Sequence, residues 1–311
     1  LYDTGARAQE LIDLNAHDVR LTTPAQVRRA CAPSTSGCRW VTAGAVSGFV
    51  TVSKTGCLDV SSTATFSIKT VGVLASVSAA NYVGQVLAPG MIVAGFGPNL
   101  SVLSGPAPGL PLPTVLFGTS VTVTDSSGSS RLAPLFYVSP GQVNYLMPEG
   151  TASGPATVTI NSSDGSVSRG AVQIGPVSPG IFTVSQDGSG PPAAYAIRVK
   201  VSGEQVREPV FTIDGVSGKI STLPIDLGPV GEIIVLEVYG TGFRGRSALQ
   251  AVTATLGGTA GDVAYAGAQP GYIGLDQVNV VVPRSLAGRG EVLFQLTVDG
   301  RPANAVKLNF K

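Results

Sequence analysis

The sequence predicts a mostly β protein, and three observations support this prediction. The 311 residues include 40 Gly and 22 Pro, and 43% are apolar while only 13% are charged, a composition typical of short strands joined by many turns. Apolar and polar residues alternate over short segments, as they do in strands with one buried face. The pattern Gln-Val-Asn, three further residues and Pro occurs twice, at 142–148 and at 277–283. This recurrence indicates two related β modules.

The chain is long enough for two or three domains, since a domain usually holds roughly 100 to 200 residues. We expect a small N-terminal α+β or β region and two sandwiches, at 1–75, 76–177 and 178–311. In the N-terminal region a helix is predicted from Pro24 to Ala30, because Thr23 is a favoured N-cap residue and Pro is favoured in the first turn. Its other predicted elements are a short amphipathic helix and two strands, at 6–14, 49–52 and 65–68.

The three cysteines, Cys31, Cys38 and Cys57, all lie in this N-terminal region. A disulfide between Cys31 and Cys38 would close a small loop, and one thiol would then be left over. Two interpretations stay open: a buried thiol beside a local disulfide, or a cross-link to another chain. A zinc site is not expected, because the only histidine of the chain is the distant His17.

The charge pattern gives no basis for binding nucleic acid or an anionic membrane, because the net charge is only +1. Charged groups are sparse, so Ser, Thr, Asn and Gln must keep the surface hydrated, which is common on secreted β proteins. We therefore expect a secreted or cell-surface location. A chain that starts at Leu1 fits a processed or trimmed form. The longest weakly polar run, 83–96, is interrupted by Gln85 and Pro89, so no membrane span is predicted.

No charged residue occurs from Thr70 to Thr124. Two interpretations of this uncharged span stay open. Its strands lie inside a sandwich and its loops are merely neutral, or the span forms a face for self-association or packing. An uncharged strand edge within the span would be unusually free to pair with another subunit.

Each copy of the repeated pattern predicts a strand with one apolar face and one amide face. The apolar faces hold Val143, Tyr145 and Met147 in the first copy and Val278, Val280 and Val282 in the second. The amide faces hold Gln142, Asn144, Gln277 and Asn279, and the patterns end at Pro148 and Pro283. We expect the amides to bond to loop backbone rather than to a ligand. Alternation continues at 156–160 and 292–298, where Asp299-Gly300 predicts a hairpin turn, and such short strands predict immunoglobulin-like sandwiches.

A series of longer motifs also follows in order along the chain. They are Ala88-Pro89-Gly90, Ala133 to Asn144, Ser178 to Phe182 and Gly274 to Val280. Together they resemble the Solibacter-type C-terminal domain family of bacterial surface proteins, over about residues 78–311. Within this stretch, 239–243 is similar to the first-strand signature of IPT/TIG immunoglobulin-like modules. The resemblance implies a pair of immunoglobulin-like domains with no catalytic residues and no cofactor.

Motifs that look catalytic lack the groups that their chemistry needs. The Asp-Thr-Gly at Asp3 resembles an aspartic-protease string, but no second Asp-Thr/Ser-Gly supplies the partner carboxylate. The segment 240–245 fits Gly-x-Gly-x-x-Gly, yet loop and strand are predicted where a dinucleotide site requires a helix. His17 has no Gly-x-Ser-x-Gly elbow to serve. Asp164 and Asp187 look like turn residues, with too few carboxylates nearby for calcium. We therefore expect no enzyme.

Two classes of function remain. The favoured one is a non-enzymatic structural protein that packs against copies of itself in an extracellular fibre or surface assembly. The alternative is a cell-surface adhesion module that recognises another surface protein, a polysaccharide or another polymer through loops at the sandwich ends. Tyr195 and Tyr272 lie in turn-rich stretches and are the candidate contacts for such a ligand. The segment 267–274 is the most natural place for that site.

Overall fold

The computed structural model describes residues 71–84 and 86–311 in full and, between residues 19 and 68, the backbone of seven short strands. The chain forms two compact units, residues 1–71 with 165–167 and residues 72–164 with 168–311. The strands of the first unit are β1 (Val19–Leu21), β2 (Val27–Ala30), β3 (Arg39–Thr42), β4 (Val46–Gly48), β5 (Val50–Val52), β6 (Val60–Ser61) and β7 (Phe66–Ile68).

The second unit contains two sandwiches. The first is formed by β8 (Gly72–Val73), β9 (Ala75–Ser78), β10 (Ile92–Phe96), β11 (Gly105–Pro106), β12 (Val115–Leu116), β13 (Thr119–Thr124), β14 (Ser130–Leu132), β15 (Leu135–Val138), β16 (Gln142–Leu146), β17 (Gly154–Asn161) and β18 (Val167–Ile174). The second is formed by β19 (Gly180–Ile181), β20 (Ala194–Val199), β21 (Gln205–Pro209), β22 (Phe211–Ile213), β23 (Ile220–Thr222), β24 (Pro224–Ile225), β25 (Ile233–Thr241), β26 (Val252–Leu256), β27 (Thr259–Ala268), β28 (Asp276–Val281), β29 (Gly290–Val298), β30 (Arg301–Pro302) and β31 (Val306–Phe310). Two short 3-10 helices lie at Leu249–Ala251 and Arg284–Leu286.

The predicted helix from Pro24 to Ala30 is wrong, because Val27–Ala30 forms β2 and pairs antiparallel with β3. A helix of seven residues has too few internal hydrogen bonds to offset its nucleation cost, and cross-strand pairing prevails over a capping signal. The strands predicted at 49–52 and 65–68 are confirmed by β5 and β7. The helix predicted at 6–14 lies outside the described residues.

The strand order identifies the first sandwich as immunoglobulin-like. One sheet runs β11-β15-β16-β10-β9, and the other runs β12-β13-β17-β18-β8. Lettered A to G in chain order, the main strands are β9, β10, β13, β15, β16, β17 and β18. The first sheet then holds A, B, E and D, and the second holds C, F and G, which is the arrangement of a constant-type immunoglobulin domain. The strand β8 lies parallel to β18 at the end of the second sheet.

The second sandwich repeats this order with different edges. Its A, B, E and D strands are β20, β25, β28 and β27, and its C, F and G strands are β26, β29 and β31. The strand β24 lies parallel to β31, as β8 lies parallel to β18. The predicted tandem immunoglobulin-like fold is thus confirmed, and both copies of the repeated pattern are E strands.

Each sandwich has its own hydrophobic core, within residues 74–174 and 177–310. The predicted apolar faces are confirmed, because all six of their residues are buried: Val143, Tyr145, Met147, Val278, Val280 and Val282. The alternation predicted at 156–160 and 292–298 is confirmed as well. Asp299 and Gly300 both have positive φ, 47° and 74°, as a two-residue hairpin turn between β29 and β30 requires.

The two sandwiches meet at a joint formed by Val86, Ile92, Ser178, Thr241 and Gly274. The buried Thr241 hydroxyl accepts a hydrogen bond from Ile92 N at 2.9 Å and donates one to Gly274 O at 2.8 Å. Ser178 Oγ donates to Val86 O at 2.6 Å. Residues from both sandwiches therefore satisfy each other's backbone groups, which fixes one sandwich against the other.

Candidate functional site

The uncharged span stands out on the surface because it exposes apolar side chains. Nine of the nineteen exposed large hydrophobic residues among the described residues lie within it. They are Val71, Val73, Tyr82, Val83, Val102, Leu103, Leu110, Val115 and Phe117. Scattered apolar side chains are ordinary on protein surfaces, but here they are concentrated in a segment without charge.

One group lies at the edge formed by β8 and β9, which we call the A edge. Val73 in β8 is 79% exposed. Val83 O accepts a hydrogen bond from Ser78 N at 2.9 Å, which holds Val83 beside β9. The Tyr82 ring lies 6.2 Å from the Phe96 ring, so the tyrosine is fixed as well. The A edge therefore presents an ordered apolar surface.

The second group lies at the edge formed by β11 and β12, which we call the C edge. Its exposed side chains are Val102, Leu103, Leu110, Val115 and Phe117. The Phe117 ring packs over Gly105, where a Cβ would lie only 2.7 Å from a ring carbon. Ser101 Oγ donates to Leu103 O at 2.8 Å and accepts from Thr119 Oγ1 at 2.9 Å. Its two edge strands are two residues long and one contains Pro106, so this edge suits side-chain packing better than strand addition.

The A edge and the C edge lie on opposite sides of the first sandwich. In one sheet β9 and β11 are the two ends, and in the other β8 and β12 are. One molecule thus carries two different apolar edges on opposite sides of the first sandwich, and the strands that form them contain no charged residue. A contact between the A edge of one copy and the C edge of the next is heterologous and leaves both outer edges free to continue.

The amides of the repeated pattern bond to each other. The prediction that they bond to loop backbone is therefore wrong. Gln142 Nε2 donates to Asn144 Oδ1 at 2.8 Å, and Gln277 Nε2 donates to Asn279 Oδ1 at 2.8 Å. All four side chains are half-buried on the outer sheet faces. Because their spacing of two residues places them on one side of a strand, the pairing is local and structural. The two prolines of the pattern, Pro148 and Pro283, directly follow these strands' last apolar residues.

Tyr195 is 37% exposed and lies on the outer face of β20. The Arg207 guanidinium lies 4.6 Å from the centre of its ring, so one ring face is already occupied by a cation. Arg207 is bound in turn to Glu237, which also accepts a hydrogen bond from the Tyr239 hydroxyl. Burial, together with Glu237, raises the pKa of Tyr239 to about 12. The cluster is internally satisfied, which leaves Tyr195 a limited contact surface.

Tyr272 is the more accessible of the two predicted ligand contacts. It is 70% exposed at the tip of the loop between β27 and β28, beside Ile273, which is 40% exposed. Backbone hydrogen bonds from Tyr272 N to Gln269 O and from Leu275 N to Tyr272 O fix the loop. The predicted segment 267–274 covers most of this loop, but its first two residues, Gly267 and Ala268, end β27, and the sequence did not indicate that an isoleucine shares the tip.

Asp276 is a buried carboxylate that anchors the start of β28. It accepts hydrogen bonds from Phe243 N at 2.8 Å, Arg244 N at 3.1 Å and Arg244 Nε at 2.7 Å. Burial raises the pKa of Asp276, and the charge of Arg244 and the donated hydrogen bonds oppose that change. All its donors belong to the turn after β25, so the carboxylate holds that turn in place. Among residues 71–84 and 86–311, no group of three or more His, Cys, Asp or Glu residues is placed to hold a metal ion.

The glycines at 240–245 serve close backbone packing. A Cβ on Gly240, Gly242 or Gly245 would lie 2.3, 2.1 or 2.4 Å from the backbone oxygens of Gly180, Ser178 and Pro176. The segment follows β25 as a turn, where a dinucleotide fingerprint requires a helix. Asp187 lies in a turn and accepts hydrogen bonds from Ser185 Oγ, Ser189 N and Ser189 Oγ. Asp164 lies in a turn between β17 and β18. The other predicted positions, Asp3, His17, Cys31, Cys38 and Cys57, lie outside the described residues.

Comparisons with known proteins add little to this geometry. No protein-family model matches the chain, and no curated protein sequence matches it. Among solved structures, the chain is similar to one of bovine butyrophilin, with 9% identity, 76% of this chain and 99% of that chain covered, and a TM-score of 0.22. The fold description therefore depends on the strand pairing given above. No helix among the described residues is long and apolar enough to cross a membrane.

Proposed function

We propose that this chain is a non-enzymatic, extracellular structural protein of a bacterium that associates with copies of itself, head to tail, through the first sandwich. The observation that supports this most directly is the pair of opposite apolar edges. The span 70–124 contributes no charged residue to either edge, and an exposed arginine, Arg169 of β18, lies beside Val73 at the A edge. The resemblance to Solibacter-type surface proteins stays a prediction that is consistent with this function.

We expect the A edge of one copy to contact the C edge of the next. A heterologous contact of this kind repeats with each added copy and gives an open filament unless the ring closes. A stable interface typically buries about 800 Å² on each partner. Side chains such as Val73 at one edge and Leu110 at the other supply the apolar part of that area.

The test is sedimentation velocity of the full chain and of two charge variants, with and without reductant. Val73→Lys places a charge on the A edge, and Leu110→Lys places one on the C edge. The matched control is Val201→Lys, since Val201 is 77% exposed and Val73 79%, but Val201 lies in a turn of the second sandwich. We expect the control to associate as the unchanged chain does and each edge variant to sediment as a monomer. A wild-type chain that stays monomeric at high concentration under both redox conditions would contradict the proposal.

A second candidate function is a binding module for a carbohydrate or another polymer, and the exposed loop tip at Tyr272 and Ile273 favours it. An exposed aromatic ring beside an apolar side chain is a suitable platform for the flat face of a sugar ring. A glycan array probed with the unchanged chain and with Tyr272→Ala tests this candidate. Binding that is lost in the variant would support it, and an array without hits would remove the carbohydrate version.

A further inference from the structure

Arg169 of β18 places a cation at the A edge. It pairs with Val73 of β8, and the side chains of paired residues in neighbouring strands lie on the same face of a sheet. The Arg169 side chain is exposed, and none of the described residues forms a hydrogen bond or an ion pair with its guanidinium. Its N–H donors can therefore bind a group on another molecule.

A contact that covers Val73 also covers Arg169. An arginine that loses its water needs acceptors from the other side of the interface, because a buried charge without partners is strongly unfavourable. A carboxylate is the usual acceptor, but the span 70–124 contains none. The next residue, Asp125, has a fully buried side chain that is already paired with Arg131. The C edge therefore has to supply neutral acceptors.

The loop 107–114 supplies such acceptors, since it joins β11 to β12 at the C edge and is rich in proline. Pro108 and Pro111 have no N–H, which leaves the loop with more acceptors than donors. The carbonyl groups of residues 108–112 accept no backbone hydrogen bond from the described residues. Leu110, in the middle of these free carbonyl groups, is 69% exposed.

The second sandwich shows that an arginine of this protein can bind a proline-containing turn in this way. Arg284 Nη1 donates to Leu227 O at 3.0 Å and to Glu232 O at 3.3 Å. Its Nη2 donates to Gly228 O at 2.6 Å, next to Pro229. All three acceptors are backbone oxygens. The planar guanidinium can reach several of them at once because its N–H groups point outward in a fixed fork.

We propose, building on the self-association proposed above, that Arg169 of one copy binds the free carbonyl groups of residues 108–112 in the next copy. Val73 and Arg169 are neighbours on the A edge, as Leu110 and the free carbonyl groups are on the C edge. When Leu110 packs against Val73, apolar contacts and hydrogen bonds form together. Two A edges in contact would instead place guanidinium groups of like charge at one interface. Arg169 thus makes the contact specific for an A edge and a C edge.

The experiment measures a single contact between two different copies of the full chain. One copy carries Leu110→Lys and keeps its A edge, and the other carries Val73→Lys and keeps its C edge. The Kd of their dimer is obtained by titration calorimetry. Arg169→Gln in the copy that keeps its A edge should weaken the dimer by about tenfold to a hundredfold. The same substitution in the other copy lies outside the contact, so this matched control should leave the Kd unchanged.

Two further measurements distinguish hydrogen bonds to carbonyl groups from a general effect of charge. Arg169→Lys keeps the charge but loses the planar fork, so in the copy with the A edge it should still weaken the dimer by about tenfold. Raising NaCl from about 0.1 to about 0.5 M should change the Kd less than about threefold, whereas an exposed ion pair would be screened.

The outcomes separate this proposal from the self-association on which it depends. If the parent pair associates but Arg169→Gln has no effect in the copy with the A edge, the role of Arg169 is refuted and the head-to-tail contact stands. Full binding by Arg169→Lys, or a strong loss of affinity in salt, would also overturn the bond to carbonyl groups. A parent pair that does not associate would overturn both the bond and the proposed self-association.

Discussion

The hydroxyl of Thr241 is expected to hold the two sandwiches together, and Thr241→Val tests this. Valine has nearly the same shape but neither donates nor accepts a hydrogen bond. The side chain is fully buried and bonds to Ile92 N and to Gly274 O, at 2.9 and 2.8 Å. A buried neutral hydrogen bond contributes about 0.5–1.5 kcal/mol, and a partner left unpaired costs about 1–3 kcal/mol. Because the valine leaves Ile92 N–H and Gly274 C=O without a hydrogen-bond partner, the free energy of unfolding should fall by about 2–4 kcal/mol.

The assay is urea unfolding followed by far-UV circular dichroism, together with a thermal melt. For a unit of this size, each kcal/mol lowers Tm by about 2–4 °C, so we expect a decrease of roughly 5–15 °C. Thr241→Ser is the control, because it keeps the hydroxyl and loses one methyl group, worth about 0.8 kcal/mol. If the valine variant were no less stable than the serine variant, the hydrogen bonds of Thr241 would not hold the joint.

Three further predictions concern single residues. The pKa of Asp125 is held well below its usual range, chiefly by the N–H of Ala152. The contribution of Asp125 to the free energy of unfolding is therefore present above about pH 4 and is lost as the pH falls. Denaturation curves of Asp125→Asn, measured over this pH range, should lack this acid-dependent loss of stability. Tyr145→Phe removes the hydrogen bond to the buried Ser76 hydroxyl, 3.0 Å away, and should lower the free energy of unfolding in urea by about 1–2 kcal/mol. Gly242→Ala, at φ +83° with a Cβ 2.1 Å from a backbone oxygen, should cost at least about 2 kcal/mol in the same assay, and a smaller loss would show that the turn can relax.

Much of the fold follows from local sequence signals. The alternation around Val143 and Val278 predicts two E strands with buried apolar faces, and Asp299-Gly300 predicts its hairpin, because both depend on neighbouring residues alone. The segment from Pro24 to Ala30 fails for the opposite reason. A capping signal is local, whereas the pairing of β2 with β3 is decided by residues farther along the chain.

The candidate sites depend on contacts that no local pattern contains. The lack of charge from 70 to 124 indicates an unusual surface, but only the strand order shows that it forms two opposite edges. The joint at Thr241 brings together residues 149 positions apart in sequence, and nothing near Thr241 indicates its partner.

A mixing experiment tests the head-to-tail association of the two edges most directly. Val73→Lys disables the A edge and keeps the C edge, and Leu110→Lys does the reverse. Each variant alone should sediment as a monomer, whereas an equimolar mixture should form a dimer and stop there, because only one productive contact remains in the pair. A mixture that stays monomeric, or that assembles as far as the unchanged chain does, would contradict the account.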